Sequence, residues 1–344
     1  MRSQRLILAV LVVGLPAFWS DDAHAAPIRL TRVPTFFNSP IGIDYHQPTN
    51  TLVMSVNYPS GSPHNFERVE QNGAHVQFST ASGLTEEVKI ATVRPGNTGG
   101  FTTGDLFTGN GVDGQIARIT NNGATVINPF VDLPGAGNGL MRGSLYVDQT
   151  GVWGDDLIAV TTGGEVWRIN SAGVPTLISD RNVHLEGLMT VPNDAARYGP
   201  LAGKIIAGAE GQGLLYAFDG ESFTTYALGV NIEDIDMINA GENFFGVNFG
   251  TGFILTADAS DFAGMAGDIL LTQETHASGT SGLYRLRWNG VALQAEQFTL
   301  TGDSAPVGQW EHVTFAPVEV TPEPGTLLLL GSGLLGLGAF RRRN

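Results

Sequence analysis

Val166-Trp167-Arg168-Ile169, followed by the turn Asn170-Ser171-Ala172-Gly173, is one copy of a pattern that recurs along this chain. The pattern is apolar, any residue, arginine, apolar, then a turn ending in glycine. Phe66-Glu67-Arg68-Val69 stands before Asn72-Gly73, and Ile116-Ala117-Arg118-Ile119 before Asn122-Gly123. Leu215-Tyr216-Ala217-Phe218 before Asp219-Gly220 has lost the arginine; Leu283-Tyr284-Arg285-Leu286 before Asn289-Gly290 keeps it. Positions 68, 118, 168, 217 and 285 are spaced by 50, 50, 49 and 68 residues.

A strand-like run precedes every copy: Leu52-Val53-Met54-Ser55-Val56, Asp105-Leu106-Phe107-Thr108-Gly109, Asp156-Leu157-Ile158-Ala159-Val160, Lys204-Ile205-Ile206-Ala207-Gly208 and Asp268-Ile269-Leu270-Leu271-Thr272. Asn-Gly and Asp-Gly are hairpin signals because type I′ turns need positive φ at both central residues. A further strand-like stretch follows the turn, as at 174–178 and 223–228. Each unit therefore reads strand, turn, strand, tight turn, strand. A period near 50 with about four strands per unit points to an all-β chain forming a single β-propeller of five or six blades. One four-stranded sheet cannot bury both of its faces; a ring of such sheets buries them mutually and leaves few open edges. Five units are plain. The 18 surplus residues of the last interval are either a long insertion or, through Asn243-Phe244-Phe245-Gly246-Val247, part of a degenerate sixth unit. Closure is expected from pairing of residues 28–37 with 312–320. A β-sandwich or a solenoid is the alternative. The repeated arginine is expected to pair with an Asp or Glu of a neighbouring strand.

Composition agrees with many tight turns: 46 of the 344 residues are glycine and 17 are proline. Charged residues make up only 15% and hydrophobic ones 42%, enough for a large core. The net charge is −15, and without the two terminal segments described below the body carries 13 basic and 30 acidic residues. Clustered Lys and Arg are what nucleic-acid phosphates require, so nucleic acid is excluded as a partner. There is no cysteine, which removes disulfides, thiolate catalysis and Cys-ligated metals.

The two ends differ from the body. Arg2 and Arg5 precede an apolar run from Leu6 to Phe18, and Ala23-His24-Ala25 gives a small-x-small pattern. That order predicts a secretory signal helix over 1–25 with cleavage at Ala23-x-Ala25. At the other end stand Pro322-Glu323-Pro324, a Leu/Gly-rich span of 16 residues from Gly325 to Phe340, and Arg341-Arg342-Arg343. As a helix the span is roughly 24 Å long, short for a hydrocarbon core of about 30 Å. The arginines favour the cytoplasmic side. This tripeptide, span and arginine run resemble the PEP-CTERM sorting domain over 320–344. The resemblance implies recognition by exosortase in the inner membrane of a Gram-negative bacterium that makes exopolysaccharide. Processing near Pro322-Glu323-Pro324 and release to the cell surface or outside are implied with it. The body, 26–319, is then a single domain between two signals.

Candidate site residues come from the innermost strands, which line a propeller's tunnel. Acid or histidine pairs two residues apart share a strand face: Asp44 with His46, His184 with Glu186, Asp234 with Asp236. Glu311 and His312 are adjacent and cannot share one, and Glu233 and Asp258 lie nearby in sequence. Asp44, Glu186 and Asp236 are the candidate metal ligands, and their oxygen donors suit calcium. Some six-bladed propellers are calcium-dependent lactonases of this kind. No EF-hand loop, HExxH helix or GxSxG elbow occurs, so no catalytic residue is assigned. His64, His75 and His276 fall in polar, turn-like contexts, and Gly135-Ala136-Gly137-Asn138-Gly139 reads as a loop because no helix opens after it. The leading expectation is a non-enzymatic surface or matrix protein binding polysaccharide or another surface protein. A secreted calcium-dependent hydrolase is the alternative.

Overall fold

The computed structural model describes residues 27–135, 139, 141, 145–273, 281–303 and 308–317. The two expected terminal helices, His276 and residues 136–138 of the glycine-rich stretch lie outside these residues.

Six sheets stand around one axis. From the axis outward, blade 1 is Ile43–His46, Thr51–Ser55, Phe66–Val69 and His75–Gln77. Blade 2 is Ile90–Thr92, Leu106–Gly109, Gln115–Thr120 and Thr125–Asp132. Blade 3 is Leu145–Val147, Leu157–Val160, Glu165–Ile169 and Pro175–Asp180. Blade 4 is Glu186–Thr190, Ile205–Ala209, Leu214–Asp219 and Ser222–Ala227. Blade 5 is Ile232–Met237, Ile269–Gln273, Gly282–Trp288 and Leu293–Gln297. The apolar runs of the sequence pattern are the second strands of these blades, and the arginine motifs are the third. Among the described residues one short α-helix, Ala195–Tyr198, capped by the Asp194 carboxylate, interrupts the β structure.

Blade 6 explains the long interval. Its strands are Trp310–Pro317, Glu242–Asn248, Phe253–Ala257, Ile28–Arg32 and Leu300–Gly302, from the axis outward. The hairpin 242–257 leaves blade 5 between that blade's first and second strands and forms the middle of blade 6. The surplus residues are thus an insertion and the core of a sixth blade at once. Closure differs from the expected pairing. Ile28–Arg32 pairs with Phe253–Ala257 and, in parallel, with Leu300–Gly302. Trp310–Pro317 pairs with Glu242–Asn248. The two ends of the folded body share a blade but are held apart by the hairpin, whose two outer edges would otherwise be left open.

The core lies in the six seams between blades, as mutual burial requires. Val53, Phe66, Ile90 and Leu106 fill the seam of blades 1 and 2, and Phe107, Ile116, Leu157 and Trp167 that of blades 2 and 3. The seam of blades 5 and 6 is aromatic, with Phe244 against Phe315 and Trp310 at 5.8 and 5.7 Å between ring centroids. Three of the four repeated arginines pair as expected. Arg118 meets Asp105 at 2.5 Å, while Arg168 meets Asp156 and Arg285 meets Asp268 at 2.6 Å. Each aspartate stands just before the second strand of the same blade. The pair therefore ties the second strand to the third at one end. Gly123 shows why the hairpin turns end in glycine: its φ is +94°, and a Cβ there would sit 1.8 Å from the Phe78 carbonyl oxygen.

Candidate functional site

The six innermost strands run in the same direction, so their N-terminal ends gather at one end of the tunnel. There a cavity of about 240 Å³ opens, lined by Glu87, Glu186, Glu210, Glu233 and Glu311 together with Ile41, Tyr58, Phe249 and Gln309. Two backbone irregularities help build it. In blade 4 the strand bulges between Glu186 and Leu188, with Gly187 at φ +62°. In blade 5 the register shifts between Ile232 and Ile235. That shift lets consecutive Glu233 and Asp234 both address the tunnel, which a regular strand forbids.

Lys89, fully buried, places its ammonium against Glu233 at this mouth. Burial works against the ammonium, but the carboxylates of Glu233, Glu186, Glu311 and Glu87 hold its pKa well above the ordinary value. Burial likewise pushes the Glu186 carboxyl up. The Lys89 charge and the His184 hydrogen bond, 3.1 Å long, overcome this and bring it down to about 2. One carboxylate oxygen from each of Glu186, Glu210 and Glu233 lies within 4.8 Å of the others. Five carboxyl groups thus face a single lysine.

Further along the axis the tunnel narrows to a waist with room for about 30 Å³. Asp44 organises it. Its carboxylate accepts from the Thr92 backbone N–H at 2.7 Å, the Thr92 hydroxyl at 2.8 Å, Arg94 at 2.7 Å and Thr314 at 3.0 Å. It thereby joins blades 1, 2 and 6. Asp236 faces the same space, and burial raises its carboxyl to about 7 against the pull of Arg94. Tyr146, from blade 3, is pushed up by burial and by the Asp236 charge. Between mouth and waist, Asp234 accepts from the Val313 N–H at 2.8 Å, and burial holds its carboxyl well above the carboxylate range. His312 accepts from the Ile43 N–H through Nδ1 at 3.0 Å, which assigns the remaining proton to Nε2, 3.6 Å from Asp234. Burial lowers His312 to about 4, so it is neutral at pH 7.

The sequence-derived candidates therefore divide between two levels. Asp44 and Asp236 meet at the waist, whereas Glu186 stands at the mouth with Glu210 and Glu233. His46 is turned between blades, bonded to the Gly104 carbonyl at 3.0 Å. Asp258 is exposed on blade 6. His64 and His75 flank the Glu67 carboxylate at 3.0 and 2.7 Å on the outer part of blade 1. Sequence reasoning missed Lys89, Glu87, Glu210, Arg94 and Tyr146. Lys89 carried a signal, being one of only two lysines and standing at the start of an inner strand. Glu210 carried none, because it reaches the mouth from the turn after a second strand, Glu210–Gln212.

Among the described residues no helix is long and apolar enough to cross a membrane. Residues 320–343 match the PEP-CTERM protein-sorting motif. No curated protein matches the chain. Similar solved structures include a gluconolactonase from Xanthomonas campestris, 13% identical, covering 80% of this chain and 85% of that one at a TM-score of 0.45. A putative gluconolactonase is 10% identical over 81% and 96%, with a TM-score of 0.43. The WD40 propeller domain of Doa1 is 11% identical over 79% and 86%, with a TM-score of 0.41. At these values the likenesses carry no inference about activity. The chain is a six-bladed β-propeller bearing a C-terminal PEP-CTERM motif, the signal for export and for processing by exosortase from a membrane-anchored intermediate.

Proposed function

We propose that this protein is a surface-delivered binding propeller, non-enzymatic, that takes a cationic group in the mouth of its tunnel. The observation that carries the reading is the excess of buried and half-buried carboxylate at the mouth, five glutamates against Lys89. A second positive charge entering the cavity would relieve their mutual repulsion in a setting that screens little. Tyr58 and Phe249, 6.2 Å apart between ring centroids, add aromatic surface that favours organic cations. The ligand class is an amine-bearing surface polysaccharide or a basic segment of another surface protein. Lys89 is the amine nucleophile nearest the cavity, and it is held protonated, which speaks for binding over chemistry.

Calorimetric titration of the mature protein with glucosamine oligomers and an arginine-rich peptide tests this. One of the two should bind, and Glu210→Gln should weaken it by about tenfold, the worth of one charged contact. Absence of binding by both would defeat the reading. The Glu186–Glu210–Glu233 cluster favours one competing reading, a calcium site serving hydrolysis. Stoichiometric calcium together with lactone or ester hydrolysis lost in Glu186→Ala would establish that instead. Mass spectrometry of the mature chain should find ends near Ala26 and near Pro322-Glu323-Pro324; a retained Arg341-Arg342-Arg343 on released protein would contradict the processing.

A further inference from the structure

We propose that, in the membrane-anchored intermediate, the propeller is held with one defined face against the membrane surface and its acid-lined mouth pointing away. The inference rests on the sorting motif and on chain geometry, and is independent of what the mouth binds. The innermost strand of blade 6 starts at the mouth with Trp310 and Glu311 and ends at the opposite face with Pro317. Pro317 is fixed there, its carbonyl accepting from Gln71 Nε2 at 2.8 Å in the turn after the third strand of blade 1. Only four residues, 318–321, separate Pro317 from Pro322 of the sorting motif.

Fully extended, the eight steps from Pro317 to Gly325, where the apolar span begins, reach at most about 28 Å. To bring the mouth to the membrane, that connector would have to run from the axis to the rim of the body and then along its height. Blade 6 has five strands, so the radial leg is about 19 Å at the usual strand spacing. The height from Glu311 to Pro317 is about 20 Å at the usual rise. Roughly 39 Å is needed where about 28 Å is available. The tether therefore cannot bring the mouth to the membrane.

The other end of the body agrees. Glu242–Asn248 runs antiparallel to Trp310–Pro317, Phe253–Ala257 reverses again, and Ile28–Arg32 reverses once more. Ile28 consequently begins on the same face as Pro317. Both ends of the folded body leave from the face opposite the mouth, so the surface that meets lipid headgroups is built from the turns around Asn72 and Asn193.

The absence of cysteine makes the test direct. Single-cysteine variants of the full chain, Asn72→Cys and Asn193→Cys on the tail face, Ser60→Cys and Gln212→Cys beside the mouth, would carry a fluorophore. The protein is reconstituted in vesicles with a headgroup-attached quencher and no exosortase. Quenching should be several-fold stronger at both tail-face positions than at both mouth positions. The second position on each face keeps the comparison intact should one variant fail to melt like the parent. Insertion of 24 Gly/Ser residues between Pro317 and Pro322, about 25–30 Å of flexible reach, should shrink the difference. Equal or reversed quenching in the parent chain, or a difference untouched by the insertion, would overturn the proposal.

Discussion

Lys89→Met is the substitution from which the mouth has most to lose. Lys89 and Glu233 are 1% and 2% exposed, and Glu186 is their neighbour. Holding the Glu186 carboxyl at about 2 in place of 4.5 corresponds to roughly 3 kcal/mol at neutral pH. Removal of one partner from a buried ion pair costs about 3–5 kcal/mol, because the other charge stays behind without compensation. For a body of this size that is a fall in Tm of about 10 °C. The pH dependence identifies the cause. A lowered carboxyl contributes stability above its unfolded value of 4.5, lost as the pH falls through about 2. The parent protein should therefore lose stability over that window. Without the lysine, burial of Glu186 is opposed chiefly by His184 and its carboxyl rises, so Lys89→Met should regain stability as the pH is lowered from 7 to 5. Lys89→Met/Glu233→Gln should recover part of the loss at pH 7. Thermal melts by circular dichroism at pH 7 and 5 read all of this. A Lys89→Met melt within about 2 °C of the parent at pH 7, or an equal gap at both pH values, would refute the reasoning.

Three further expectations concern the waist and the turns. Asp44→Ala removes the acceptor of four hydrogen bonds across three blades and leaves Arg94 without its carboxylate; a loss of about 3–5 kcal/mol is expected in urea unfolding. Asp236, raised to about 7, costs stability as the pH rises through that value, so Asp236→Asn should be more stable by about 2–4 kcal/mol above pH 7. That advantage should disappear as the pH falls toward 4, as urea midpoints across the range would show. Gly123→Ala meets the Phe78 carbonyl and should lower Tm by several degrees, whereas alanine at Gly220, with open space around its Cβ, should cost much less.

The lysine at the mouth and the aspartate at the waist also bear on what the tunnel can do. Between them Asp234 and neutral His312 form a hydrogen-bonded layer from the inner strands of blades 5, 6 and 1. A ligand entering the mouth meets charge at the rim and this packed layer behind it. The proposed site is therefore shallow, suited to the end of a chain or a single side chain.

Local patterns determined much of this protein. Period, turn chemistry and apolar runs require only neighbours in sequence, and they placed the second and third strands of blades 1–5; for the arginines they gave only an acidic partner in a neighbouring strand, which three of the four have. The sorting motif was legible for the same reason, since its three parts stand in order within 24 residues. What tertiary structure alone decided depends on long-range closure. Hairpin 242–257 is donated from blade 5 to blade 6, and nothing local marks which sheet a hairpin will join. The same holds at the site: Asp44, Glu186 and Asp236 follow the same reading by strand parity, yet Glu186 opens its strand while Asp236 stands near the end of its own, and the bulges at Gly187 and in blade 5 shift the phase of the inward face. A strand's inward face is fixed by a period of two residues, and one extra residue resets it. Which charges share a space was therefore settled only when six strands from distant parts of the chain came together around one axis.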